Sequence, residues 1–288
     1  MDTKQTIQAS EVGMYQVHGN HFDALMDAKV FFEEFFQKIV PESKLKESAT
    51  TEVILQRGAS PVNAGVVSLL YGEDDLGLLF LVAVHKETGK LLHMSTYPFY
   101  LAKKMRVMVD TVWVWDDLLE ATVRCRIGEF EFSFFAVDYF AHKEDYVPGK
   151  EIEIRVGAMG MSHKEPQFSL SIEGQEAVDW LAKFGSFFGL EVEYDENGQV
   201  KPVRIDLEQF VGFFQSDDKC PDEASFQSPA GEIRERSFLG IDFYETEIFI
   251  HRLYDDSISI PLIIKKEWMP EAKEGSPLSG TLWVAGAF

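Results

Sequence analysis

Residues 121–136 read Ala121-Thr122-Val123-Arg124-Cys125-Arg126-Ile127-Gly128-Glu129-Phe130-Glu131-Phe132-Ser133-Phe134-Phe135-Ala136. Side chains along a strand point to opposite faces in turn. Val123, Cys125 and Ile127 therefore share one face of a strand, and Phe130, Phe132 and Phe134 share one face of the next. Gly128 between them supplies the turn, so the stretch predicts an antiparallel hairpin. The same pattern recurs on both sides of it. Residues 78–85 and 90–96 flank Lys86-Glu87-Thr88-Gly89, a second hairpin turn. Pro148-Gly149 leads into Ile152, Ile154 and Val156. Farther on, residues 232–238, 241–252, 257–265 and 278–287 read as strands. Ile248, Ile250, Ile258, Ile260, Leu262 and Ile264 alternate there, and Asp255-Asp256 forms a loop. Residues 98–119 read either way: Pro98 can open a short helix, while Val107, Val109, Val112 and Val114 favour a strand.

Helical spacing appears in three places. Over residues 22–40, Phe22, Leu25, Ala28, Phe32, Phe35, Phe36 and Ile39 fall on one arc, and Pro41 ends the helix. Over 174–189, Ala177, Trp180, Leu181, Phe184, Phe187 and Phe188 share a side, with Gly189 as a C-terminal cap. Asp206 with Gln209 three residues on resembles a capping box for a short third helix. The first ten residues are polar and read as a loose end. Residues 216–231, with Pro221 and Pro229, read as a linker.

Helices and strands are thus segregated, which predicts an α+β, strand-rich fold of mostly antiparallel small curved sheets or barrel-like modules with a few amphipathic helices. An OB-like five-stranded barrel is one form open to residues 50–160. The expected organisation is an N-terminal helical segment at 1–50, a β module at 51–165, an acidic helical insert at 166–220 and a second β module at 221–288, or all of these as one compact unit.

The chain has 288 residues, among them 24 Phe, nine Tyr and five Trp. That much aromatic area demands burial. Forty-eight acidic residues face 27 basic ones, a net charge of -21. The imbalance is steepest over 151–250, with 21 acids against 8 bases. Such charge repels phosphate backbones and anionic membrane surfaces, and it suits docking onto a basic protein partner. Neither nucleic acid nor membrane is an expected partner. Two cysteines, Cys125 and Cys220, build no disulfide framework for a chain of this size. Residues 1–5 carry no apolar signal core, and a cytoplasmic location is expected.

Motifs of known chemistry are sparse. His18-Gly19-Asn20-His21-Phe22-Asp23 holds three weak metal candidates, His18, His21 and Asp23, but polar residues at a helix start also cap free N–H groups. His-Lys-Glu recurs at 85–87, 142–144 and 163–165 without the cysteine pair of a zinc deaminase. The doublets Asp74-Asp75, Asp116-Asp117, Asp217-Asp218 and Asp255-Asp256 sit at turns, where Asp bonds its own backbone. Nucleophile elbows and phosphate loops are missing. No cofactor is expected. Cys125, alternating within an apolar strand, reads as a core residue.

Three functions follow in order. The first is a non-enzymatic acidic interaction protein, regulatory, immunity-like or mimicking nucleic acid. Its binding face would be Glu191, Glu193, Asp195, Glu196, Asp217 and Asp218. The second is a hydrolase whose site assembles from His18, His21 and the carboxylates of Asp116, Asp117 or Asp138. The third is a small-ligand or sugar-binding barrel using Trp113 or Trp115.

Overall fold

The computed structural model describes residues 5–18, 20–56, 58–85, 89–185, 191–207, 209–215, 219–253 and 256–288. The chain forms two compact units, Met1–Lys164 with Val211–Phe288, and Glu165–Phe210.

In the first unit, β1 (Gln5–Gln8) is followed by a short helical stretch. The strands β2 (Lys44–Val53), β3 (Val62–Gly72), β4 (Leu76–Val84) and β5 (Leu91–Tyr100) then form an antiparallel meander in chain order. Next come β6 (Lys103–Val114), β7 (Ala121–Ile127), β8 (Phe130–Ala136) and β9 (Glu151–His163). The second unit carries β10 (Ser169–Ile172) paired with β11 (Val203–Asp206). Back in the first unit are β12 (Gly212–Gln215), β13 (Glu223–Pro229), β14 (Arg234–Phe238), β15 (Ile241–Leu253), β16 (Asp256–Lys265) and β17 (Pro277–Ala287).

Five of these strands close a barrel. β6, β7 and β8 pair antiparallel in succession. β8 meets β17 in parallel, β17 pairs antiparallel with β9, and β9 returns to β6. The fold is therefore strand-rich with few helices and mostly antiparallel pairing, as the alternation predicts. Residues 98–119 resolve largely to strand, since the valines of β6 pack inside the barrel. The interior holds Val109, Val123, Cys125, Phe134, Ile154 and Val284. Leu282 and Val284 of β17 belong to that core, while Trp283 and Ala285 between them belong to a second one. The second core joins the barrel's outside to the meander and to Phe22, Phe31 and Ile39. At Gly286 a Cβ would lie 2.4 Å from the Phe134 ring, so only glycine allows that approach where β17 passes β8.

Several local expectations are corrected. Residues 5–8 are not loose: they pair in parallel with Thr111–Val114, which satisfies a backbone edge. The helix expected over 22–40 is interrupted. Asn20–Ala24 is a short 3-10 turn, and the helix restarts at Ala28 because Asp27 Oδ1 accepts from the Val30 N–H at 3.1 Å. Over Phe31–Phe35 it widens to a π-turn, with Phe36 N–H bonded to the Phe31 carbonyl. The extra residue turns Phe31 inward while Phe32 stays 42% exposed. The short helix expected around 206–214 is absent among the described residues. Val203 and Ile205 alternate within β11, and β12 begins at Gly212. The linker expected over 216–231 contains β13, whose Ala224, Phe226 and Ser228 are buried between more exposed Ser225 and Gln227. Averaged polarity conceals that alternation.

In the second unit a helix runs over Gly174–Trp180 and continues as a π-turn at Leu181–Gly185. Ala177, Leu181 and Val203 form its small core. Phe187, Phe188 and Gly189 lie outside the described residues, as does the turn at 86–88.

Candidate active site

The hairpin turn between β6 and β7 is six residues long, Trp115-Asp116-Asp117-Leu118-Leu119-Glu120. Asp117 makes it: its Oδ1 accepts from the backbone N–H of Leu119 at 2.9 Å and of Glu120 at 3.3 Å. Leu118 between them adopts φ of 65°, a left-handed conformation that costs a Cβ-bearing residue roughly 1–2 kcal/mol. Such strain persists only where the surroundings over-determine it, and it clusters at functional sites. Its consequence here is that Asp117 and Glu120 come together, with the Asp117 carboxyl bonded to the Glu120 carboxylate.

Both carboxyls line one wall of a cleft of about 650 Å³. The strap Met14–His18 lies along it, together with Phe22, Phe32, Ile54, Trp115 and the β5 residues His93–Thr96. Hydrogen bonds from Tyr15 N–H to the Lys219 carbonyl at 2.9 Å and from Asp116 N–H to Gln16 Oε1 at 2.5 Å hold the strap in place. No Lys or Arg lines the cleft among the described residues. Lys143 lies within electrostatic range of Asp117 from outside it. The indole N–H of Trp115 is buried and lacks a hydrogen-bond partner among the described residues.

Burial, then the neighbouring Glu120, pushes the Asp117 carboxyl up to about 8. Burial pushes Glu120 up to about 7, opposed by hydrogen bonds from Ser95 and Asp117. Two carboxyls this close and this buried share a proton near neutral pH, because both cannot ionise side by side. His18 Nε2 lies 2.8 Å from Glu120 Oε1. The His18 ring stacks on Trp115 with centroids 4.7 Å apart, and Tyr97 and Phe135 pack on its other sides. Taken out of water, its imidazole is held down to about 3 and stays neutral.

His18 and His21, paired as metal candidates on sequence, do meet: their Nδ1 atoms are 3.0 Å apart. His21 does not cap a helix as its position suggests. It is buried, stacked on Trp283 at 4.1 Å, with Nε2 3.3 Å from Glu223. Asp23 is exposed and takes no part. No group of three or more His, Cys, Asp or Glu placed to hold a metal occurs among the described residues. Of the hydrolase candidates, Asp116 and Asp117 line the cleft. Asp138 instead accepts from Tyr146 OH at 2.6 Å and the Phe288 N–H at 2.8 Å, away from it.

Of the acidic residues proposed as a binding face, the four described ones belong to the second unit. Glu191 and Glu196 are exposed in the second unit. Glu193 pairs with Lys201 at 3.1 Å, and Asp195 caps its own turn through the Asn197 and Gln199 N–H groups. Asp217 and Asp218 lie outside the described residues. Of the His-Lys-Glu copies, the described parts fall at the end of β4, on the helix Tyr139–His142 and at the end of β9, apart from the cleft. Sequence reading passed over Glu120. Its one signal is spacing, three residues after Asp117 in a turn, and that does not foretell burial beside an imidazole.

The chain matches no family profile, no curated protein and no solved structure. No helix among the described residues is long and apolar enough to cross a membrane.

Proposed function

We propose that the chain is a hydrolase that uses Asp117 and Glu120 as an acid–base pair on a neutral or cationic substrate. The observation that carries this is the pair itself: two buried carboxyls side by side on a cleft wall, both held well above the usual carboxylate range. Paired titratable groups whose environments separate their protonation states mark acid and base roles. Glu120 takes a proton from water, and the hydroxide equivalent adds at the electrophilic carbon of the substrate. Asp117 delivers its proton to the departing atom. The pair is then left reversed, with Glu120 protonated, and one proton moving back along their shared hydrogen bond restores it. His18 holds Glu120 in place. The Trp115 N–H is free to bond an acceptor on the substrate, and the apolar strap excludes water. A phosphorylated or carboxylated substrate is disfavoured, because the lining presents acids and, among the described residues, no Lys or Arg.

This reading is preferred to docking of a basic protein through the 191–196 acids, because Glu193 and Asp195 are already engaged within their own unit. A binding barrel of the OB type is the second reading, and it is a finer description of the fold than the closed five-stranded barrel. Its support is position: the 115–120 turn joins the first two barrel strands, and that loop carries ligands in OB barrels. Its expected platforms are less favourable, since Trp113 and Trp115 are both buried.

The test is turnover of uncharged and cationic esters, amides and glycosides by the full chain. Hydrolysis is expected with a narrow bell-shaped pH profile near neutrality. Glu120→Gln and Asp117→Asn are each expected to lower kcat roughly 100-fold or more. Saturable binding without turnover selects the binding barrel, and turnover indifferent to both substitutions removes the proposal.

A further inference from the structure

Behind Glu120 the polar chain continues through the protein. Glu120 Oε1 lies 2.8 Å from His18 Nε2, His18 Nδ1 lies 3.0 Å from His21 Nδ1, and His21 Nε2 lies 3.3 Å from Glu223 Oε1. Glu120 faces the cleft. Glu223, on β13, keeps 22% of its side chain exposed and accepts from the exposed Asn20 amide. The four groups come from the β6–β7 turn, the N-terminal strap, the 3-10 turn and β13, so no single local motif explains their alignment.

Proton counting shows what this line can do. Three contacts between two carboxylates and two imidazoles need three protons, one in each. The set then carries one negative charge wherever those protons sit. In one arrangement Glu223 is protonated and donates to His21 Nε2, His21 Nδ1–H donates to His18, and His18 Nε2–H donates to an ionised Glu120. Shifting each proton across its own hydrogen bond gives the second arrangement, in which Glu120 is protonated and Glu223 is ionised. Only N–H and O–H bonds form and break, both imidazoles start and finish neutral, and no ring turns.

We propose that Glu120, His18, His21 and Glu223 form a proton relay between the cleft and the protein surface. It rests on the acid–base reading of the cleft and extends it: Glu223 exchanges protons with solvent and sets the protonation of Glu120. His21 and Glu223 are positioning residues that act through His18. The surroundings favour neutral imidazoles that keep their orientation. His18 is packed among Trp115, Tyr97 and Phe135, and His21 lies flat on Trp283. Burial lowers the proton affinity of both rings, and for His21 this outweighs the pull of Glu223 and Asp222. The charged groups facing the pair are Glu120 and Asp117 on the cleft side and Glu223 and Asp222 on the other. Asp222 is occupied by the Trp283 indole N–H at 2.9 Å.

The test needs no substrate, so it separates from the hydrolase test. Nitrogen NMR on histidine-labelled full chain reads which ring nitrogen carries the proton in each imidazole, and whether the two Nδ1 atoms are coupled through a hydrogen bond. The expected result is a coupling between them, with the tautomers of His18 and His21 changing together as Asp117, outside the line and beside Glu120, loses its proton. In Glu223→Gln, which cannot titrate, the tautomer change at His18 is expected to disappear although residue 223 does not touch that ring. Should that variant not fold, Asn20→Ala removes an exposed donor to Glu223 and is expected to move the midpoint of the His18 change to higher pH. Absence of coupling, or a His18 tautomer indifferent to these substitutions, overturns the relay and leaves a static network. A relay seen without turnover of any substrate removes the hydrolase reading and not the wire.

Discussion

Glu120 sets burial directly against charge. It is 3% exposed, and its carboxyl is held well above the usual carboxylate range. Because its folded value exceeds the ordinary one of about 4.3, the folded state binds this proton more tightly than the unfolded chain. Its contribution to stability is complete below about pH 4 and is lost as pH rises through about 7. Glu120→Gln is expected to abolish that loss, on the order of 3 kcal/mol, as measured by urea unfolding across the window. His18 acts oppositely: its value is held down to about 3, so its contribution falls away as pH drops from about 6.5 toward 3. A second residue-scale test concerns Leu118. At φ of 65° a glycine is unstrained. Leu118→Gly is expected to be more stable than Leu118→Ala by about 1 kcal/mol, the reverse of the usual ranking. Equal unfolding midpoints for the two variants would show that the turn carries no strain.

Among the elements, β17 matters most because it closes the barrel and faces both cores. Gly286→Ala is expected to cost about 1–3 kcal/mol, since the added methyl meets the Phe134 ring and overpacks the seam. Trp283→Phe keeps most of the ring but removes the N–H that bonds Asp222 at 2.9 Å, leaving a buried carboxyl short of a donor. The expected loss is again about 1–3 kcal/mol, read by the same unfolding assay, and a neutral result would mean that solvent reaches Asp222. Much at this scale was legible beforehand. The β7–β8 and β15–β16 hairpins follow from period-two alternation, which is a local property. The break at Asp27 and the strand at 223–229 were not. A helix can be re-phased by one cap, and β13 reads as polar until β17 lies beside it and covers alternate side chains.

For the whole molecule, the described residues of 165–210 share a small core of Ala177, Leu181 and Val203. A unit of that size buries too little apolar surface to stand alone. Replacing it with a short flexible linker is expected to leave the first unit folded with a cooperative transition, while the isolated segment is expected to show none by calorimetry or urea. The net charge of -21 was visible from composition, and so were the aromatic load, the strand-rich class and the inward place of Cys125. These are sums and short periodicities, which the order of residues states outright. The candidate site is of another kind. Glu120 and Glu223 are 103 positions apart, and His18 reaches Glu120 across 102. Each looks like ordinary turn or surface chemistry in its own neighbourhood. What makes them a site is the exclusion of water around them and the hydrogen bonds that follow, and both arise only when the barrel closes and the N-terminal strap is laid against it.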